Sequence, residues 1–181
     1  MRSRKQEFTR GSNIAARARW IHPNPDVDAA ENDGARGSKA GHGSCMLARI
    51  GGYSQGTAKM VNPVIVRNAP RLFEDHPGTA IVSALVQVLN DIGKAKEKRA
   101  VLSMSLYMPS TLRGKPMFPN PDGSDGYPVF RKTVGDLLRR IIRKGVTVVV
   151  PAGNFYSVSN RPLWGSHSFA SFTDLRAETR Q

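Results

Sequence analysis

Residues 146–154, with the sequence VTVVVPAGN, decide the fold that we expect for this chain. Val146 to Val150 form a short apolar run, which is typical of a strand buried on both faces of a parallel sheet. Pro151 and Gly153 follow it, so the strand ends there and the chain turns. The amide of Asn154 then either points from the end of the strand into a cleft or forms part of a simple turn.

The segments before this strand alternate between helical and extended patterns. Helices are predicted where apolar residues recur with a period near 3.6, and strands where β-branched or apolar runs are short. The predicted helices cover residues 42–50, 77–99 and 130–142, and the predicted strands cover residues 61–67, 100–106 and 146–150. The order strand, helix, strand, helix, strand predicts an α/β fold, in which a parallel β-sheet is flanked by helices.

Composition divides the chain into three parts. Residues 1–40 are basic with little apolar periodicity, which predicts an irregular N-terminal arm. Residues 41–155 carry the whole α/β pattern, and residues 156–181 are expected to form an irregular tail. Within the central part, residues 107–128 are rich in proline and glycine, which predicts a surface loop.

The charge is strongly positive, with 27 Lys and Arg against 14 Asp and Glu and a net charge of +13. A basic chain can bind the phosphates of nucleic acids. Here the cations are dispersed and no aromatic residues interleave with them, which favours a solvated surface and makes nucleic acid an unlikely partner. A nucleic-acid-binding protein that uses the basic arm and the basic end of helix 130–142 stays an alternative.

Several other classes are excluded or left open by the same sequence. No apolar run approaches the roughly 18 residues needed to cross a bilayer, so no membrane association is expected. The first twenty residues lack the apolar core of a secretory signal, and the compartment stays unknown. Cys45 is the single cysteine, so an internal disulfide is excluded. We expect no metal and no cofactor, since no ligand spacing such as a calcium loop is present.

A histidine lies between two glycines in the segment Gly41-His42-Gly43, at the start of the first predicted helix. We expect its imidazole to be exposed because neither neighbour has a side chain. The positive pole of the helix disfavours the imidazolium form, which suits a general base near neutral pH. The alternative is that Gly41 shapes the start of the helix and His42 caps it.

Four motifs occur in one order along the predicted frame: GHGSC at 41–45, GTAK at 56–59, SMSL at 103–106 and VTVVVPAGN at 146–154. Together they resemble the subtilases, the subtilisin-like serine peptidases, whose pattern has G-H-G-T, G-V-A-K, N-M-S-L-G and A-A-G-N on the corresponding elements. The resemblance covers about residues 41–154. It implies an incomplete subtilisin-like three-layer fold and a serine-type endopeptidase, a hydrolase, as the parent function.

The resemblance also implies roles for individual residues. His42 would be the general base, and Asn154 would donate a hydrogen bond to the oxyanion. An extended polypeptide, as substrate or ligand, would bind along Ser105-Leu106-Tyr107, with Ala152-Gly153 as the opposite wall of the specificity pocket. Cys45 resembles the buried thiol that some subtilases have behind the histidine, and the alternative is a small core residue. Family members are often secreted or vacuolar.

The sequence departs from the family at both remaining members of the catalytic triad. No aspartate upstream of His42 ends an apolar strand, and we interpret Asp26, Asp28 and Asp33 as loop carboxylates. Downstream of Asn154 we reject Ser166 and Ser168 as the nucleophile, because neither lies in a G-T-S-M-A-like motif. Tyr107 replaces a glycine of the family. We therefore expect a truncated or inactive chain, with a non-catalytic peptide-binding protein as the alternative.

Overall fold

The computed structural model describes residues 4–11, 13–23, 41–67, 77–94, 99–106, 111–112, 115–116, 118–120 and 122–151. The chain divides into two compact units, Met1–Leu72 and Phe73–Gln181, and each is described by itself. The expected boundaries of the arm, the peptidase part and the tail stay predictions.

The described residues of the first unit form three helices and a parallel pair of strands. They are α1 (Arg4–Thr9), α2 (Ile14–Arg17), β1 (Arg19–Ile21), α3 (His42–Gly51) and β2 (Val64–Val66). The prediction of an irregular arm is therefore wrong for the part that holds α1, α2 and β1. The arm has few apolar residues, so its sequence shows no helical period. Ile14 is nevertheless only 1% exposed, and its burial anchors α2.

Strand β1 pairs in parallel with β2, so that Trp20 lies opposite Ile65. Backbone bonds extend the ladder at both ends, from Arg19 N–H to the Pro63 carbonyl (2.9 Å) and from Arg67 N–H to the Ile21 carbonyl (2.9 Å). Pro63 directly precedes β2. Pro63 still accepts a bond there, since a proline lacks only the donor.

In the second unit, the part of the chain that the structure describes holds two long helices and four short strands. They are α4 (Pro77–Lys94), β3 (Val101–Ser103), β4 (Thr111–Leu112), β5 (Lys115–Pro116), α5 (Tyr127–Arg143) and β6 (Thr147–Val149). Both predicted helices are confirmed, and they pack against each other. Their buried apolar stripes supply most of the core: Ile81, Ala84, Leu85, Val88 and Leu89 from α4, and Tyr127, Phe130, Val134, Leu137, Leu138 and Ile141 from α5.

Strands β3 and β6 form a parallel pair with Val101 opposite Thr147 and Ser103 opposite Val149. The expectation that 146–150 is buried on both faces is wrong, because Val149 is 48% exposed and Val101 is 66% exposed. Both strands alternate between exposed and half-buried residues, as strands with one covered face do. The fold class is therefore mixed α/β with two small parallel pairs of strands among the described residues, as far as class and strand direction were predicted. The expected single parallel sheet is not seen, because β2 pairs with β1 rather than with β3 or β6.

The segment expected to be only a surface loop also contains regular structure. Strands β4 and β5 form a short antiparallel pair, and an isolated bridge joins Pro119 to Asp125. Next to this bridge in sequence, the ring of Phe118 stacks on the ring of Phe130, with ring centroids 4.2 Å apart. Two-residue strands carry no periodicity, so the sequence could not reveal them. Among the described residues, no helix has the length and apolar character needed to cross a membrane.

Candidate functional site

His42 is the first residue of α3, and its side chain is exposed, as predicted. The chain reaches the helix through Gly41, whose φ of 86° lies in the left-handed region that favours glycine. The Gly41 carbonyl accepts the first helical bond from Cys45 N–H at 2.8 Å. The glycine therefore has a structural reason to precede the histidine, and the imidazole is free to meet a ligand from solvent.

The position of Cys45 corrects both interpretations made from the sequence. Its free thiol is exposed, so it is neither a buried thiol behind the histidine nor a small core residue. The reason is helical spacing, since Cys45 lies three residues after His42 and four before Arg49, which are also exposed. These three residues form the outward face of α3.

The GTAK motif folds back onto the end of α3. Lys59 Nζ donates hydrogen bonds to the carbonyls of Gly52 (2.8 Å) and Tyr53 (2.6 Å). Ala58 N–H donates to the Ile50 carbonyl at 2.7 Å, and Gly56 N–H donates to the Gly52 carbonyl at 2.9 Å. The N–H groups of Thr57 and Ala58 thus satisfy two carbonyls that the end of α3 leaves without an intrahelical donor, and the lysine ammonium binds the two residues that follow the helix. This motif fixes the path from α3 towards β2.

Glu7 of α1 holds the same turn from the other side, and nothing in the sequence pattern singled it out. Its carboxylate accepts hydrogen bonds from Ser54 Oγ (2.6 Å), Ser54 N–H (2.9 Å) and Gln55 N–H (3.2 Å). The Ser54 hydroxyl bond is the main cause that lowers the pKa of Glu7 below its ordinary value of 4.5, and Lys59 adds to it. Glu7 therefore has a structural role within the basic N-terminal segment.

We expect the contribution of Glu7 to stability to be lost in acid. Because its pKa is lower in the folded than in the unfolded chain, the contribution is complete above pH 4.5 and disappears as pH falls through the folded pKa. Urea unfolding of the wild type and of Glu7→Gln, followed by circular dichroism from pH 7 to pH 3, should show two stabilities that converge in acid. A constant difference across this range would contradict the assignment.

Strands β3 and β6 bring two of the sequence motifs to one edge of their sheet. The strands are parallel, so their carboxyl ends lie together, with Ser105 and Leu106 beyond one and Val150 and Pro151 beyond the other. Ser105 is exposed and Leu106 is half-buried. This edge is the place where the sequence predicted peptide binding.

The ladder between these strands ends for a definite chemical reason. Thr147 N–H donates to the Ala100 carbonyl (3.1 Å), and Met104 N–H donates to the Val149 carbonyl (2.9 Å). Parallel ladders repeat every two residues, so the next rung would need a donor at position 151 for the Met104 carbonyl. Pro151 has no N–H, so that rung cannot form, although the Pro151 carbonyl can still accept a hydrogen bond.

Several predicted site residues lie outside the described residues. They are Tyr107, Ala152, Gly153 and Asn154. The residues that we rejected as triad members also lie outside the described part: Asp26, Asp28, Asp33, Ser166 and Ser168. Of the remaining site residues, His42 belongs to the first unit, and Ser105 and Leu106 belong to the second. Their proposed roles stay predictions. Within the described part of the chain, no three His, Cys, Asp or Glu side chains cluster in a way that could hold a metal ion.

No protein-family model matches this chain, and comparisons with curated proteins and with solved structures gave no match either.

Proposed function

We propose that this chain derives from a subtilisin-like serine endopeptidase and binds an extended polypeptide at the carboxyl edge of β3 and β6. The observation that carries the proposal is the parallel pairing of these strands. It brings the end of the SMSL motif and the start of the PAGN motif to one sheet edge, as a peptide-binding groove of this family requires. The three-layer subtilisin-like arrangement is part of the proposal.

The backbone beyond β3 is suited to an added strand. Met104 N–H faces β6 and donates to Val149, so the N–H of Ser105, one residue further on, points to the opposite edge of β3, where none of the described strands pairs with it. Among the described residues, none forms a backbone hydrogen bond with Ser105 or Leu106. An extended peptide can supply that partner through its own N–H and C=O groups, while side-chain pockets set its preference.

The proposed activity of these 181 residues is binding without efficient hydrolysis. His42 is exposed at a helix start and available as a base. The residues given contain no aspartate or serine in the motif that the family uses for the other two members of the triad. In subtilisin, binding and oxyanion stabilisation alone leave about 10³–10⁴-fold acceleration over water, which is small beside a full triad.

The proposal is tested by peptide binding to a pair of variants at one position. A library of fluorescently labelled, unstructured decapeptides is titrated to high micromolar concentration and followed by polarisation. Ser105→Pro should abolish binding because it removes the N–H that pairs with the peptide, whereas Ser105→Ala keeps this donor and should bind as the wild type does. Circular dichroism of both variants checks that the second unit is folded.

A second arm of the experiment addresses the chemistry. His42→Ala should leave peptide affinity unchanged, and a fluorophosphonate probe should not label any serine of the wild-type chain. Stable labelling would overturn the expectation of an incomplete triad. Absence of peptide binding, or equal binding by Ser105→Pro and Ser105→Ala, would overturn the proposed groove.

A further inference from the structure

The carboxyl-terminal end of α5 concentrates positive charge on one exposed surface. Arg140, Arg143 and Lys144 are all exposed and lie within five successive residues. Among the described residues, none forms an ion pair with any of the three. We define these three residues as the α5 basic end. The sequence already places these cations at the end of helix 130–142, and the structure adds that all three side chains are exposed and have no acidic partner among the described residues.

The preceding part of the same helix behaves differently. Asp136 accepts a hydrogen bond from Lys132 Nζ at 3.0 Å and another from Arg139 Nη1 at 2.6 Å. Both cations therefore have an acidic partner on their own helix, at the favourable spacings of three and four residues. This single carboxylate offsets one of the two positive charges, whereas the three cations of the α5 basic end have no acidic partner among the described residues, so the uncompensated charge is greatest there.

The inner face of α5 cannot supply a base-stacking or membrane-inserting group. Its aromatic residues, Tyr127 and Phe130, are buried and pack against Phe118. Single-stranded nucleic acids are usually held by exposed aromatic side chains, and interfacial helices insert an apolar face into lipid. On α5 the apolar face is already used in the core, so the exposed side offers cations for regularly spaced phosphates.

We propose that the α5 basic end binds the phosphate backbone of double-stranded nucleic acid without reading its sequence. Positions 140 and 144 are about 6 Å apart along the helix axis, at about 1.5 Å per residue. Each strand of a duplex carries a phosphate charge about every 3.4 Å along its axis, so three flexible side chains can reach neighbouring phosphates. The overall charge of +13 assists the encounter. The surface is independent of the proposed peptide groove.

The test compares two triple variants that remove the same number of charges. The first is Arg140→Gln, Arg143→Gln and Lys144→Gln. The matched control is Arg49→Gln, Arg99→Gln and Lys94→Gln, which also replaces two arginines and one lysine, all exposed. Binding of a fluorescent 20-base-pair DNA duplex of random sequence is measured by polarisation between 50 and 200 mM salt, with circular dichroism as the folding check.

The wild type should bind the duplex with steep salt dependence. The first variant should bind at least about tenfold more weakly near 100 mM salt, and its log–log salt slope should fall by about 0.9 for each cation removed. The control should keep most of the affinity and of the slope. Equal losses in both variants would show that net charge alone is responsible and would overturn the proposal. So would binding to phosphatidylserine vesicles without binding to the duplex.

Discussion

Leu138→Ala is expected to lower the free energy of unfolding of the second unit by about 3 kcal/mol. Leu138 is 1% exposed and lies in the centre of the buried stripe of α5, where this helix packs against α4. Removing a buried leucine side chain costs its transfer free energy and leaves a cavity, and such changes cost about 2–5 kcal/mol in other cores. Urea unfolding followed by circular dichroism at 222 nm measures the change directly.

Val129→Ala on the same helix is the matched control. Val129 is 65% exposed, so its side chain leaves no cavity when shortened, and alanine has the higher helix propensity. We expect its stability to remain within about 0.5 kcal/mol of the wild type. If Leu138→Ala were as mild as Val129→Ala, then α5 would not form the core of this unit.

The helices of the second unit were predictable because their signals are local. The apolar positions of α5 recur with the helical period, and Gly145, at φ 84°, ends the segment as a left-handed C-terminal residue. The start of α3 at His42 could be predicted for the same reason. A glycine followed by a polar residue and then by an apolar stripe indicates the start of a helix, and these residues lie close together in sequence. In both helices a short window of sequence contains all of the determining contacts.

The features that sequence analysis missed depend on contacts between distant residues. Strand β1 forms because Trp20 and its neighbours pair with β2, which lies more than forty residues later in the chain. A short stretch of the N-terminal arm does not include that partner, so it carries no signal for the strand. The exposure of Cys45 depends on which face of α3 the rest of the unit covers. Likewise, the partial exposure of Val149 depends on how many elements of the fold cover β6. An apolar run in the sequence does not reveal that number.

Only the part of the candidate site that follows from the order and direction of the strands could be predicted from the sequence. Parallel strands force the residues after β3 and after β6 to one edge, so Ser105 and Pro151 could be placed near each other from the strand order alone. The role of Glu7 could not, because its hydrogen bonds join residues 47 and 48 positions apart. An isolated glutamate in a basic segment gives no periodic or motif signal.

Gly56→Ala is expected to destabilise the first unit by about 2–3 kcal/mol, although the GTAK motif gains only one methyl group. A Cβ atom at position 56 would overlap the amide nitrogen and carbonyl oxygen of Gly52 and the carbonyl carbon of Gly51. These are backbone atoms at the end of α3, so no side-chain rotation can relieve the overlap. Forcing extra atoms into such a contact typically costs about 1–3 kcal/mol.

Thr57→Ala, one residue further along the same turn, is the matched control. It shows whether any substitution in the GTAK motif lowers stability, or only one that creates a steric overlap. Thr57 is exposed, and its N–H keeps the bond to the Arg49 carbonyl at 3.3 Å after the change. We expect a change below about 0.5 kcal/mol in urea unfolding of this variant. Because Gly56→Ala also strains the hydrogen bond from Gly56 N–H to Gly52, its amide hydrogen exchange at the end of α3 should accelerate, whereas Thr57→Ala should leave it unchanged. Equal protection of these amides in the two variants would mean that the turn is not closed against the helix, and that GTAK does not direct the chain from α3 to β2.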